Sequence, residues 1–228
     1  PVATSQLTEC QPGRMKPPTP GEAVKQKHFI DSHKGATLFA CLALMAHFDQ
    51  WHNPTAWVYT ALHGTYGVLW VLKSNLFGDK NWEKTTPLWY GLLIWVSLTL
   101  YWTAPYIICS QDLQMPLPWL AACIVSFTLG VFMHFASDMQ KHTTLALKPG
   151  LITTGLWSRL RNPNYFGELL IYLGFVAIPQ HWLPLSALGL MVVFYWIPNM
   201  LKKDKSLSRY PQWAEYKSRS WRFIPLVW

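Results

Sequence analysis

The sequence predicts an all-α fold, a polytopic membrane bundle of about six transmembrane helices with both termini on the same side of the bilayer. Three observations carry that prediction. Charged residues make up 13% of the 228 positions, about half the share of a soluble domain. Tryptophan occurs 14 times, and its amphipathic ring favours membrane–water interfaces. The apolar residues fall into six continuous blocks, and every Lys and Arg lies in the gaps that alternate crossings would put on one side. Continuous rather than alternating apolar runs leave no β-barrel signal.

Residues 1–34 read as a polar, proline-bearing arm with Arg14, Lys16, Lys25, Lys27 and Lys34, without the apolar stretch of a secretory leader. A polar arm of this kind needs something to hold it, and docking onto other membrane subunits is one expectation for it. The membrane domain then occupies residues 35–228, with apolar blocks at 35–48, 55–72, 87–109, 115–136, 165–179 and 182–197. A straight helix needs about 20 residues to cross the hydrocarbon, so 55–72, 87–109 and 115–136 are expected to span outright. His33 and Lys34 extend the first block by reaching to the interface, and flanking Trp and Lys residues extend the last two. Re-entry of the first or fifth block is the alternative.

With six crossings, the arm, the 73–86 loop, the 137–163 loop and the tail after Pro198 share one aqueous face. The positive-inside rule makes that face the cytoplasm, or the matrix in a mitochondrial membrane. Trp51, Trp57, Trp89, Trp119 and Trp182 stand near block ends, and Pro116 and Pro118 break the chain before the fourth block. The lipid bilayer is thus the first partner, and the net charge of +8 reflects topology rather than nucleic acid. Cys10, Cys41, Cys109 and Cys123 show no C-x-x-C spacing, which speaks against a disulfide framework or a zinc site. His47, His52 and His134 have no ligand spacing, so no metal is expected. No glycine-rich phosphate loop of a soluble nucleotide-binding fold occurs.

Glu168 is the most informative residue for chemistry. It lies one turn inside an apolar block, where a carboxylate needs a polar cavity or a partner helix. Before it runs Arg161-Asn162-Pro163-Asn164-Tyr165-Phe166-Gly167, in which Asn162 is placed to cap a helix and Pro163 to open it. Asp138 is the only acid in the loop leading to Arg161 and is either a boundary residue or a ligand. Lys148-Pro149-Gly150 and Thr153-Thr154-Gly155 are turn-rich and basic, suited to an anion or simply to topology. His63 and Tyr66 share a helical face; a buried Tyr there packs or donates a proton.

The run from Lys148 through Trp157 to Arg161-Asn162-Pro163-Asn164-Tyr165-Phe166-Gly167-Glu168 resembles a signature of the membrane superfamily of steroid 5α-reductases, sterol C14-reductases and isoprenylcysteine carboxyl methyltransferases. The tail Tyr210-Pro211-Gln212-Trp213-Ala214-Glu215-Tyr216 through Arg222-Phe223-Ile224-Pro225 is similar to that superfamily's terminal element. The resemblance covers residues 115–228, the reductase-like half, and is nearest to a 5α-reductase-like branch. It implies NADPH-dependent reduction of a carbon–carbon double bond in a steroid- or lipid-like substrate. It also implies a cofactor pocket lined by Asp138, Arg161, Asn164, Tyr165, Glu168, Asp204 and Tyr216, with Tyr66 and Glu168 as catalytic candidates. An S-adenosylmethionine-dependent methyltransferase and a non-catalytic reductase-like subunit of a larger membrane assembly are the alternatives. Asn162 stands where the signature has His, and the first half has no Gln-Glu pair of the kind 5α-reductases set against the steroid ketone. The resemblance leaves the endoplasmic reticulum, a bacterial inner membrane and the mitochondrial inner membrane equally open.

Overall fold

The computed structural model describes residues 24–79 and 81–228. The arm up to residue 23, and with it the expectation that the arm holds partner subunits, lies outside the described residues. Seven helices run through the described chain: α1 (Gln26–His47), α2 (Pro54–Phe77), α3 (Leu88–Ser110), α4 (Leu117–Leu147), α5 (Pro163–Val176), α6 (Trp182–Leu207) and the short α7 (Trp213–Ser218). A two-residue antiparallel ribbon pairs β1 (Val24–Lys25) with β2 (Thr85–Thr86) and ties the start of α1 to the loop after α2.

Among the described residues, the helices long and apolar enough to cross a membrane are α3, α4 and α6, a different trio from the one block length alone selects. α2 is 24 residues long but devotes its buried side to Tyr59, His63, Tyr66, Trp70 and Lys73, which makes it an internal helix more than a lipid-facing one. α6 runs on past Pro198, where the sixth block was expected to stop. Pro198 lacks an amide hydrogen and its ring crowds the carbonyl four residues earlier. The π turn at Val192–Trp196 loosens the backbone at that place, so the helix absorbs the proline and continues. α1 likewise begins at Gln26, well before its apolar block, and α4 extends to Leu147 over residues expected as loop.

His33 and Lys34 do not reach outward to the interface: both are buried. The cause is a close crossing of α1 and α2. A Cβ at Gly67 would fall 2.2 Å from Lys34 O, so only glycine lets the backbones meet and turns Lys34 inward. α4 and α5 cross in the same way. A Cβ at Gly167 would lie 2.3 Å from His134 N, one at Gly130 2.5 Å from Ile171 N, and one at Gly174 2.7 Å from Phe127 Cβ. Ser126 Oγ adds a hydrogen bond to Leu170 O at 2.9 Å. This crossing sets Asn164 and Glu168 of α5 against His134 and Asp138 of α4.

The loops after α1 and α3 meet at one end of the bundle. Asn53 Nδ2 donates to Gln50 Oε1 at 2.8 Å and to Asp112 Oδ1 at 3.2 Å, while Asn53 Oδ1 caps α2 by accepting from Thr55 N and Ala56 N. At the cation-rich end, residues 157–161 and the tail form one strap. Trp221 N donates to Arg159 O at 2.9 Å and Arg161 N to Trp221 O at 2.8 Å.

Candidate functional site

A cavity of about 1180 Å³ runs from the cation-rich face into the bundle between α1, α3, α4, α5 and α6. Its outer part is polar: Asp79, Lys141, Gly150, Arg161, Lys202 and Lys203 stand on its wall. Its flank is apolar, with Leu93 and Leu98 of α3 and Leu190, Met191 and Phe194 of α6. Leu93, Leu190 and Phe194 are also exposed on the outside of the bundle, so the flank reaches the surface that a bilayer would cover. Lys34, Tyr101, Glu168 and Tyr172 line its inner part.

Of the residues expected to hold a cofactor, Asp138, Arg161, Asn164, Tyr165, Glu168 and Tyr216 all line this cavity. Asp138 is fixed by Lys73, whose Nζ donates to Asp138 Oδ2 and, at 3.1 Å, to His134 Nε2. His134 Nδ1 faces Asn164 O at 3.0 Å. A carbonyl only accepts, so Nδ1 carries the ring hydrogen and Nε2 receives from lysine. This network leaves Asp138 Oδ1 and Asn164 Oδ1 buried without a partner. Both residues are on the cavity wall, and a buried acceptor without a donor calls for one from a ligand.

Arg161 turns most of its guanidinium to the tail, donating from Nη1 to Ser220 O at 2.6 Å and Lys217 O at 3.2 Å. Tyr216 donates to Trp157 O at 2.5 Å. Burial pushes its phenol up to about 12 against the pull of nearby Arg161, which keeps it a donor. Asp204 is off the wall: its Oδ2 accepts from Arg222 Nε at 2.7 Å, and Oδ1 lies 3.5 Å from Arg161 Nε. It anchors the strap to α6. Asn162 holds the N-cap position of α5, as its place before Pro163 suggests, but its side chain makes no capping hydrogen bond. Its Nδ2 donates to Arg222 O at 2.8 Å and its Oδ1 accepts from Lys203 at 2.9 Å. The two signature elements of the sequence are therefore each other's structural partners.

Tyr66 is fully buried and stands behind the wall rather than on it, donating to Glu168 Oε1 at 3.2 Å. His63 is buried beside it, with Tyr59 Oη 2.8 Å from its Nδ1 and the Phe175 ring stacked at 4.1 Å. Lys34, Lys73, His134, Tyr172 and Lys203 were not expected at the site. At the mouth, burial alone would raise the carboxyl of Asp79, but Lys141 Nζ at 2.9 Å and the Asn81 amide hold it below its ordinary range. Glu83 takes hydrogen bonds from Lys25 at 2.8 Å and Lys27 at 2.5 Å, which hold it down to about 2. Among the described residues no group of His, Cys, Asp and Glu has metal-ligand geometry.

The chain is similar to a Delta(14)-sterol reductase of Methylotuvimicrobium alcaliphilum, 25% identical over 182 residues that cover 70% of this chain and 40% of the relative. The chain thus spans well under half the length of that curated relative. A family model described as a protein of unknown function, DUF1295, matches residues 21–220. With nearly its whole length matched, the chain belongs to the DUF1295 family, within the 5α-reductase-like membrane superfamily.

Proposed function

We propose that this chain is a membrane reductase that uses NADPH to saturate a carbon–carbon double bond in a steroid- or lipid-like substrate. The observation that carries the reading is the double character of one cavity: cations and unpartnered acceptors at its aqueous end, apolar side chains on the flank turned to lipid. A dinucleotide phosphate is polyanionic and brings hydroxyl and amide donors. Lys141, Lys202, Lys203 and Arg161 match its charge, and Asp138 Oδ1 and Asn164 Oδ1 match its donors. When bound, the cofactor would supply hydride.

The chain's own residues contribute the rest. Lys73 holds Asp138 in place, and the His134 contact fixes the backbone of Asn164. Tyr66 orients the Glu168 carboxyl. Leu93, Leu190 and Phe194 admit an apolar substrate from the lipid side and keep the inner cavity dry, which suppresses competing reaction with water. The similarity to a sterol reductase supports reduction over methyl transfer.

Purified chain in lipid nanodiscs is expected to bind NADPH saturably and to oxidise it only when an enone lipid is present. Lys203→Ala is expected to weaken NADPH binding roughly tenfold, a typical loss of about 1.4 kcal/mol for one charge-assisted contact. Saturable binding of S-adenosylmethionine without NADPH binding would establish the methyltransferase reading instead. Binding of neither, with partner subunits co-purifying, would point to a non-catalytic role.

A further inference from the structure

Three tyrosines stand near the inner end of the cavity, and their hydroxyls are not equivalent. Tyr66 gives its only hydrogen to Glu168 Oε1 and is off the cavity wall. Tyr172 is on the wall and accepts a hydrogen bond of 2.7 Å from Lys34 Nζ. A hydroxyl has one hydrogen and two lone pairs, so that bond occupies a lone pair of Tyr172 and not its proton, whose neighbour behind the wall is the Tyr66 hydroxyl. Tyr101 is also on the wall, and its buried hydroxyl has no partner, but Lys34 does not touch it.

The Lys34 ammonium is held in place from every side. It lies 4.1 Å from the ring centre of Tyr66, 4.8 Å from that of Trp70 and 4.9 Å from that of Tyr172. The glycine contact at Gly67 pins its backbone. Glu168, on the same wall, is the acid close enough to attract it. A cation so confined stabilises negative charge arising on the oxygen it touches, at no cost of reorganisation.

We propose that Tyr172 is the proton donor of the reduction and Lys34 the positioning cation that stabilises the phenolate it leaves. The proposal rests on the reductase reading above. Saturation of the double bond needs a hydride on one carbon, drawn from the dihydronicotinamide, which is oxidised, and a proton on the other. That proton comes from Tyr172 Oη as the O–H bond breaks and a C–H bond forms. The phenolate then takes a proton back from Lys34 Nζ, and once the product has left, a proton from the aqueous compartment at the polar end of the cavity restores the ammonium.

The test uses the full chain in nanodiscs with NADPH and a steroidal enone as probe. Tyr172→Phe is expected to lower kcat about 100-fold or more with KM little changed, the size of effect typical for a lost general acid. Lys34→Met is expected to lower kcat also, and Lys34→Arg to recover part of the loss. Retention of the rate by Tyr172→Phe, or a larger loss on Tyr66→Phe or Tyr101→Phe, overturns the assignment.

A second readout needs no turnover. With 3-fluorotyrosine at position 172, Lys34→Met is expected to displace the fluorine resonance and its pH titration midpoint, and Lys34→Arg to restore them in part. An unchanged spectrum overturns the pair. A displaced spectrum in a chain that neither binds nor oxidises NADPH overturns the reductase reading, and the proton-donor role with it.

Discussion

Lys73 and Asp138 form an ion pair inside the bundle, with 7% and 9% of their side chains exposed. Removing one member of such a pair leaves a charge without compensation, at a cost of about 3–5 kcal/mol. Lys73→Met is therefore expected to destabilise the chain by about that much in denaturant titrations in micelles, and Lys73→Met with Asp138→Leu to recover most of it. A double variant as unstable as the single one would mean that Lys73 acts through packing alone. The contrast between the two charges explains what was legible at this scale. Glu168 stands out because an acid in an apolar block needs a reason, and it does line the cavity. Lys34 sits at a block's edge, where a lysine ordinarily reaches for water. Only the Gly67 crossing, a contact between residues 33 apart in the chain, turns it inward. Asp204 stands off the wall for the same kind of reason, since its pairing with Arg222 leaves no trace in the spacing of the residues.

At the scale of elements, the α4–α5 crossing decides whether the site exists. Gly130, Gly167 and Gly174 let two helix backbones touch, and that approach brings Asn164 to His134 and Glu168 to the cavity. Gly167→Ala is expected to cost about 1–3 kcal/mol, the usual price of overpacking, and to weaken NADPH binding by displacing Asn164. Gly189→Ala on α6 is the control. A Cβ there meets nothing within 4 Å, so helix propensity alone acts and the variant is neutral or gains up to about 1 kcal/mol. Equal losses at both positions would remove the special role of the crossing. Each of the six apolar blocks falls on a helix of its own, four of them overrunning a helix end by one to three residues, so hydropathy located the elements well. It did not locate their ends. α4 continues to Leu147 because Gln140 is bound by the loop it faces, donating to Thr154 O at 2.9 Å and accepting from Leu156 N at 3.1 Å. α6 continues to Leu207 because a π turn accommodates Pro198.

At the scale of the molecule, the charge segregation read from the sequence and the helix connections describe the same geometry. The loops after α1 and α3 join through Asn53 and Asp112 and carry no Lys or Arg. The opposite end gathers Lys25, Lys27, Lys141, Lys203 and Arg222 into ion pairs and straps around the mouth of the cavity. A cation costs several kcal/mol at the centre of a bilayer and little at its surface, so the two ends face different compartments if all six apolar blocks cross. With the native cysteines replaced by serine, Lys84→Cys and Lys148→Cys are expected to react with a membrane-impermeant maleimide from one side only. Asp49→Cys and Asp112→Cys are expected to react only from the other. Labelling of all four from a single side would refute six crossings. The cavity mouth would then no longer be tied to the compartment where a dinucleotide is dissolved, and the apolar flank formed by Leu93, Leu190 and Phe194 would need a cover other than lipid.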